Sequence, residues 1–231
     1  MFSAFRSQSA HPDLTWLRGS STLSSNSVGL KHKVIRYRVR ERGERTTMSK
    51  VLREPGTVLF PTPAVLVSCG VGSRANIITL AWVGTLCSKP PMIGIGVRPS
   101  RHSHELIESH GEFVVNLPRA DQVRSVDYCG TVSGRDEDKW AACGLSRLSA
   151  SKVQIPLIAE CPVNIECELQ RTLRLGTHSL FVGEVVAVHV DDEALDDDGR
   201  LDVMRAEPFA YLNGDYRRIG ELLGTFGFST R

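Results

Sequence analysis

Two arginines and two serines crowd the segment Arg98-Pro99-Ser100-Arg101-His102-Ser103. It joins a glycine-bearing apolar run, Met92 to Val97, to a stretch with the marks of a helix start. The unpaired backbone N–H groups and positive dipole end of a helix N-terminus attract anions. The guanidinium groups of Arg98 and Arg101 match phosphate oxygens in pairs, and the hydroxyls of Ser100 and Ser103 can donate to the same group. The other reading of these residues is an ordinary capped helix with surface arginines, and both fit the local sequence.

A second constellation lies upstream in Asn76-Ile77-Ile78-Thr79-Leu80-Ala81-Trp82. Asn76 and Thr79 are small polar residues in an apolar run and need hydrogen-bond partners if buried. The polar edge of a flavin ring can supply them, and Trp82 can lie against a flat ring. The competing reading makes Trp82 a core residue and Asn76 a turn cap. A strand edge that holds a heteroaromatic ring, followed by a loop that binds phosphate, together favour a mononucleotide such as FMN. Neither G-x-G-x-x-G nor G-x-x-x-x-G-K-[ST] occurs, so neither a Rossmann nor a P-loop site is indicated.

Lys139 and His178 are further candidates. By itself Lys139, in Arg135-Asp136-Glu137-Asp138-Lys139, reads as one more charge on an exposed helix, and His178 as a turn residue ahead of a long strand. His102 and His104 could touch a metal, but no third ligand accompanies them, so no metal is expected.

The elements that must position these groups are mostly strands. Val58 to Cys69 is an apolar run whose first half is placed at an edge or bend by Pro61 and Pro63. Ala75 to Trp82, Met92 to Val97 and Phe113 to Leu117 follow. Gly94 and Gly96 share one face of the third run, which marks close approach by backbone or ligand. Val163 to Gln170 alternates apolar and polar residues, predicting a half-buried antiparallel strand. Ser179 to Val190 is apolar on both faces and is expected to be central. Helices are predicted at Ser103–His110 with Ser103 as N-cap, Asp121–Cys129 stopped by Gly130, and Asp136–Cys143 stopped by Gly144. Many strands with a few short inserted helices predict a mainly β, closed or nearly closed barrel.

The 231 residues suit one domain with an appendage. The net charge of +2 conceals an asymmetry: residues 1–47 carry nine Lys+Arg against three Asp+Glu, and the remainder 19 against 23. The folded part is thus mildly acidic, which argues against a nucleic-acid surface. No run of about 18 apolar residues is present, so no membrane span is expected. The six cysteines form no C-x-x-C and mostly sit in apolar or small-residue runs, as reduced, buried thiols in a cytoplasmic protein do. Residues 1–47 are serine- and arginine-rich with poor periodicity. They read as a disordered or spurious extension, with an organelle transit peptide as the other reading, and the domain is expected over 48–231.

Residues 55–229 resemble the flavin reductase-like family, with the FMN-binding split-barrel fold, and within it the flavoredoxin branch. The resemblance rests on ordered motifs: Asn76-x-x-Thr79-Leu80-Ala81-Trp82-x-Gly84-Thr85, Ser88-x-Pro90-Pro91, Val97-Arg98-Pro99-Ser100-Arg101, Gly111-Glu112-Phe113-Val114-Val115-Asn116-Leu117, Asp127-Tyr128-Cys129-Gly130, Ser133-Gly134-Arg135-Asp136-x-Asp138-Lys139-Trp140, Cys161-Pro162-Val163-Asn164-Ile165-Glu166-Cys167 and Gly224-x-Phe226-Gly227-Phe228. It implies a homodimer with one non-covalent FMN per subunit. Asn76, Thr79, Leu80, Ala81 and Trp82 would line the ring, and Arg98, Ser100, Arg101 and Ser103 would hold the phosphate. Lys139 and His178 would face the cofactor, with Tyr211 completing the pocket. The implied activity is NADH- or NADPH-dependent flavin reduction, with an oxygenase or other redox protein as partner. Electron transfer between proteins and non-catalytic FMN binding are the alternatives. No cysteine follows Cys167, which argues against a partnership through a C-terminal thiol.

Overall fold

The computed structural model describes residues 20–25, 31–41 and 44–230. The chain forms two units, Met1–Thr57 and Val58–Arg231. In the first, β1 (Ser20–Ser25), β2 (Lys31–Glu41) and β3 (Glu44–Leu52) pair antiparallel in chain order. Part of the expected extension therefore has strands, and β3 runs through Met48, where the domain was expected to start. Ile35, Tyr37 and Val39 alternate with Arg36, Arg38 and Arg40, a strand period that the density of arginines obscures. Residues 1–19 of that extension lie outside the described residues.

The second unit is built on a seven-stranded antiparallel sheet, ordered β6-β5-β9-β12-β13-β8-β7. Its strands are β5 (Val65–Cys69), β6 (Asn76–Leu80), β7 (Val83–Ser88), β8 (Pro91–Val97), β9 (Glu112–Leu117), β12 (Val163–Leu175) and β13 (His178–Val190). A three-stranded sheet joins β4 (Thr62–Pro63), β14 (Phe209–Leu212) and β15 (Asp215–Arg218), and β10 (Arg147–Leu148) pairs with β11 (Leu157–Ile158). No ladder joins β6 to β7 among the described residues, so the large sheet stays open between its edges.

Val65, Val67, Ile78, Ile95, Val97, Phe113 and Phe181 fill one side of this sheet. On the opposite face of β5 and β6, Leu66 and Ile77 pack with Val126, Cys129 and Trp140 from the helices. Burial on both faces explains why β5 is apolar or small throughout. Gly183 admits the Phe113 ring: a Cβ there would lie 2.6 Å from Phe113 Cζ.

β12 departs from the expected half-buried pattern. Its polar residues Asn164 and Glu166 are buried, because the segment around 151–158 covers that face. Asn164 Nδ2 donates to Asn116 Oδ1 at 2.8 Å and Ile158 O at 3.0 Å. Glu166 accepts from the backbone N–H of Ser151 and Lys152, both at 2.7 Å, and of Val153 at 3.0 Å.

The helices also shift from their expected bounds. α1 (His102–His110) begins one residue early, with Arg101 as N-cap, because the Ser103 side chain is turned inward. α2 (Val123–Thr131) runs through Gly130, whose missing side chain lets Thr79 pack: a Cβ there would lie 3.2 Å from Thr79 Cβ. α3 (Lys139–Cys143) is shorter than expected, because Asp138 takes the N-cap and accepts from Trp140 N at 3.0 Å.

Candidate functional site

The end of β6, the start of α1 and the facing turns of α2 and α3 enclose two adjoining cavities. The first is a cleft of about 270 Å³ lined by Ile78, Thr79, Leu80, Ala81, Trp82, Gly96, Arg98, Arg101, His178, Tyr211 and Tyr216, among others. The second is a pocket of about 160 Å³ that includes Asn76, Ser100, Arg101, His102, Ser103, Cys129, Gly134 and Lys139. Ile78, Arg101 and Gly130 line both, so the two are continuous. All twelve residues singled out from the sequence line one or the other.

At the cleft, the chain leaves β6 through Ala81 and Trp82, and Trp82 O accepts from Gly96 N at 2.8 Å. The two strand glycines do different things. A Cβ at Gly94 would lie 2.7 Å from Leu86 Cδ1, so Gly94 seats a side chain, whereas a Cβ at Gly96 would meet Trp82 Cβ at 3.4 Å, ordinary contact on the cleft wall. Trp82 is 43% exposed, so it is a wall of the cleft and not a core residue. Its ring centroid lies 4.3 Å from that of His178. Arg98 Nε donates to His178 Nε2 at 3.3 Å, which leaves Nδ1 to donate to Thr177 Oγ1 at 3.0 Å. Burial, and then the Arg98 charge, hold the His178 pKa below its ordinary value, so the ring is neutral at pH 7. Tyr211 and Tyr216 face each other with centroids 5.7 Å apart.

The polar residues of β6 are not arranged as the sequence suggested. The Thr79 hydroxyl donates to Val126 O, so its proton is committed to α2. Asn76 lines the pocket and not the cleft, and its Nδ2 donates to Ser103 Oγ at 2.9 Å. Both side chains are buried. Gly134 makes this possible, since a Cβ there would lie 2.0 Å from Asn76 Oδ1.

Lys139 is the largest departure from the local reading. It is 3% exposed, and Nζ donates to Ile77 O and Cys129 O, each at 2.8 Å. Two of its three donors are thus used, and the third is left for the pocket. Burial pulls its pKa down, a shift that the Cys129 and Cys69 thiols oppose. The first turn of α1 has no side-chain cap, so its leading N–H groups stay available.

Sequence reasoning did not assign His102 to this pocket. Its Nδ1 is buried without a hydrogen-bond partner among the described residues. Burial and Arg135 hold the ring below its ordinary pKa. The signal was present as the residue following Arg101, where a helix start turns side chains toward an anion. Arg135, whose Nη1 donates to Ser100 O at 3.2 Å, ties the neighbouring loop to it. An uncapped helix N-terminus, an orphaned ring nitrogen and a buried ammonium fit a phosphate. The adjoining aromatic-walled cleft fits a flat ring.

Residues 57–220 match the family model of the flavin reductase like domain. The chain belongs to this family. Within the flavin reductase-like family it stands with the flavoredoxins. The flavoredoxin of Desulfovibrio vulgaris (Miyazaki F) is similar at 32% identity and a TM-score of 0.74, over 79% of this chain and 100% of that one. Flavoredoxin from Methanosarcina acetivorans is similar at 30% identity and a TM-score of 0.72, over 78% and 97%. An FMN-binding protein from Thermus thermophilus is similar at 27% identity and a TM-score of 0.66, over 76% and 99%. These likenesses give the unit its fold, an open split barrel. Among the described residues, no helix of this family member is long and apolar enough to cross a membrane.

Proposed function

We propose that this protein is an FMN-binding oxidoreductase that takes electrons from NADH or NADPH and passes them to flavin. The observation that carries the reading is the continuity of the aromatic cleft with the cationic pocket through Arg101 and Gly130. When bound, FMN supplies the redox chemistry, and the protein supplies position and electrostatics.

Arg101, Ser100, Ser103 and the first N–H groups of α1 hold the phosphate, with His102 Nδ1 beside it. Asn76 fixes the Ser103 hydroxyl, and Lys139 balances the charge from the buried side. Leu80, Ala81, Trp82 and Tyr211 bound the ring. Neutral His178 and charged Arg98 stand at the open side, where a nicotinamide can stack and proximity and orientation do most of the work.

The proposal includes a homodimer, supported by Leu223 and Phe226, which are 95% and 103% exposed on the C-terminal segment. An oxygenase or another redox protein is the proposed acceptor of electrons. The test is an anaerobic visible spectrum of the FMN-loaded protein before and after NADH, then NADPH. Bleaching is expected. Protein that takes up no FMN would overturn the reading. A flavin band that persists with both donors would favour the second reading, electron transfer between proteins without nicotinamide turnover, which the likeness to two flavoredoxins supports.

A further inference from the structure

α3 presents Lys139 and Cys143, four residues apart and so on one helix face, to the same residue of α2. Lys139 Nζ donates to Cys129 O at 2.8 Å, and Cys143 Sγ lies 3.8 Å from Cys129 Sγ. Cys129 is buried and lines the anion pocket, while Cys143 is partly exposed. The pair thus combines a partly exposed cysteine with one that lines the site. Disulfide formation requires the sulfurs to close to about 2 Å. α3 is a single short turn between the Asp138 cap and Gly144 at φ +63°, the kind of element that can shift by that much.

We propose that Cys129 and Cys143 form a redox-active dithiol whose oxidation draws α3 toward α2 and reshapes the Lys139 end of the anion pocket. The oxidant is a low-molecular-weight disulfide. The Cys143 thiolate attacks one of its sulfurs, forming a mixed disulfide and releasing one small thiolate. Cys129 Sγ then attacks Cys143 Sγ, its proton leaving with the second small thiol. Two protein thiols are oxidised to one disulfide, and one small disulfide is reduced to two thiols. Burial, reinforced by Cys143, pushes the Cys129 thiol up to about 12, so Cys143 is the sulfur that meets the oxidant first. Cys87 is the other partly exposed cysteine and serves as the internal control.

The experiment treats the full chain with glutathione disulfide. Thiols are counted in denaturant, the intact mass is measured, and tryptic peptides are mapped without reduction. The expected product has lost two of six thiols and two hydrogens, with no glutathione adduct at Cys143. It joins the peptide containing Cys129 (125–135) to the one containing Cys143 (140–147). A stable mixed disulfide at Cys143, or consumption of Cys87 alone, would overturn the dithiol. FMN affinity is then measured by fluorescence quenching. About fivefold weaker binding after oxidation is expected, comparable to the loss of one hydrogen bond. It should be restored by dithiothreitol and absent in Cys143→Ser. Unchanged affinity in a protein carrying the disulfide would overturn the coupling to the pocket. This last arm rests on the proposed flavin binding, but thiol count and mass do not, so the two readings fail separately.

Discussion

The cleft and the pocket share an edge but are built in opposite ways. The cleft is walled by rings that are at least partly exposed and meet in two pairs, Trp82 with His178 and Tyr211 with Tyr216. The pocket is backed by buried polar groups that also bond to the fold, Asn76 to Ser103 and Lys139 to Ile77 and Cys129. A ring that must meet a second reactant needs an accessible wall. A phosphate that must stay put needs donors already oriented by their own bonds.

The comparison is most severely tested at Lys139. Lys139→Met should weaken FMN binding about 100-fold by removing a buried charge-assisted donor, and destabilise the fold by ~2 kcal/mol by orphaning two carbonyls. Fluorescence titration and urea unfolding measure the two effects. An unchanged urea midpoint would mean that the pocket is not part of the scaffold.

Ser103→Ala should cost FMN about tenfold while leaving riboflavin, which lacks the phosphate, unaffected. Equal losses for both ligands would erase the distinction between pocket and cleft. Trp82→Ala should show the opposite selectivity, weakening FMN and riboflavin alike by about fivefold, as loss of an aromatic wall does.

The smallest effect is expected away from both cavities, at Glu166. Burial raises its pKa, but three backbone N–H groups and His189, with Nε2 2.5 Å from Oε1, outweigh this and hold it below the ordinary value. Its contribution to stability is therefore complete above the ordinary carboxylate pKa and is lost as pH falls through the lowered one. Glu166→Gln should flatten the urea midpoint between pH 5 and 3 without changing FMN affinity at pH 7. A change in affinity would tie this clamp to the site.

The sequence made the site's membership legible, because arginines, serines and a helix start adjoin in Arg98–Ser103 and a mixed polar strand lies at Asn76–Trp82. What it hid was direction. Lys139 sits in a run of charges that reads as a solvated helix face, and only tertiary packing of α3 on β6 turns it inward. Asn76 was legible as a buried polar residue but not as the partner of Ser103, because the two are 27 positions apart with two strands between them. Gly130 was read as a stop, its common local meaning. Its actual role, making room for Thr79, is a contact between distant segments. Asn164 and Glu166 show the same limit: a strand's polar face is buried when the segment around 151–158 covers it.

Gly183 carries a consequence for how three strands are held together. Phe113 on β9 lies over the neighbouring β12 until its ring tip occupies the place a methyl group would take on β13. One ring thus latches three successive strands, and a hydrogen atom is the notch that receives it. One added carbon would fill that notch and force the ring out, loosening its grip on the strand that begins with His178.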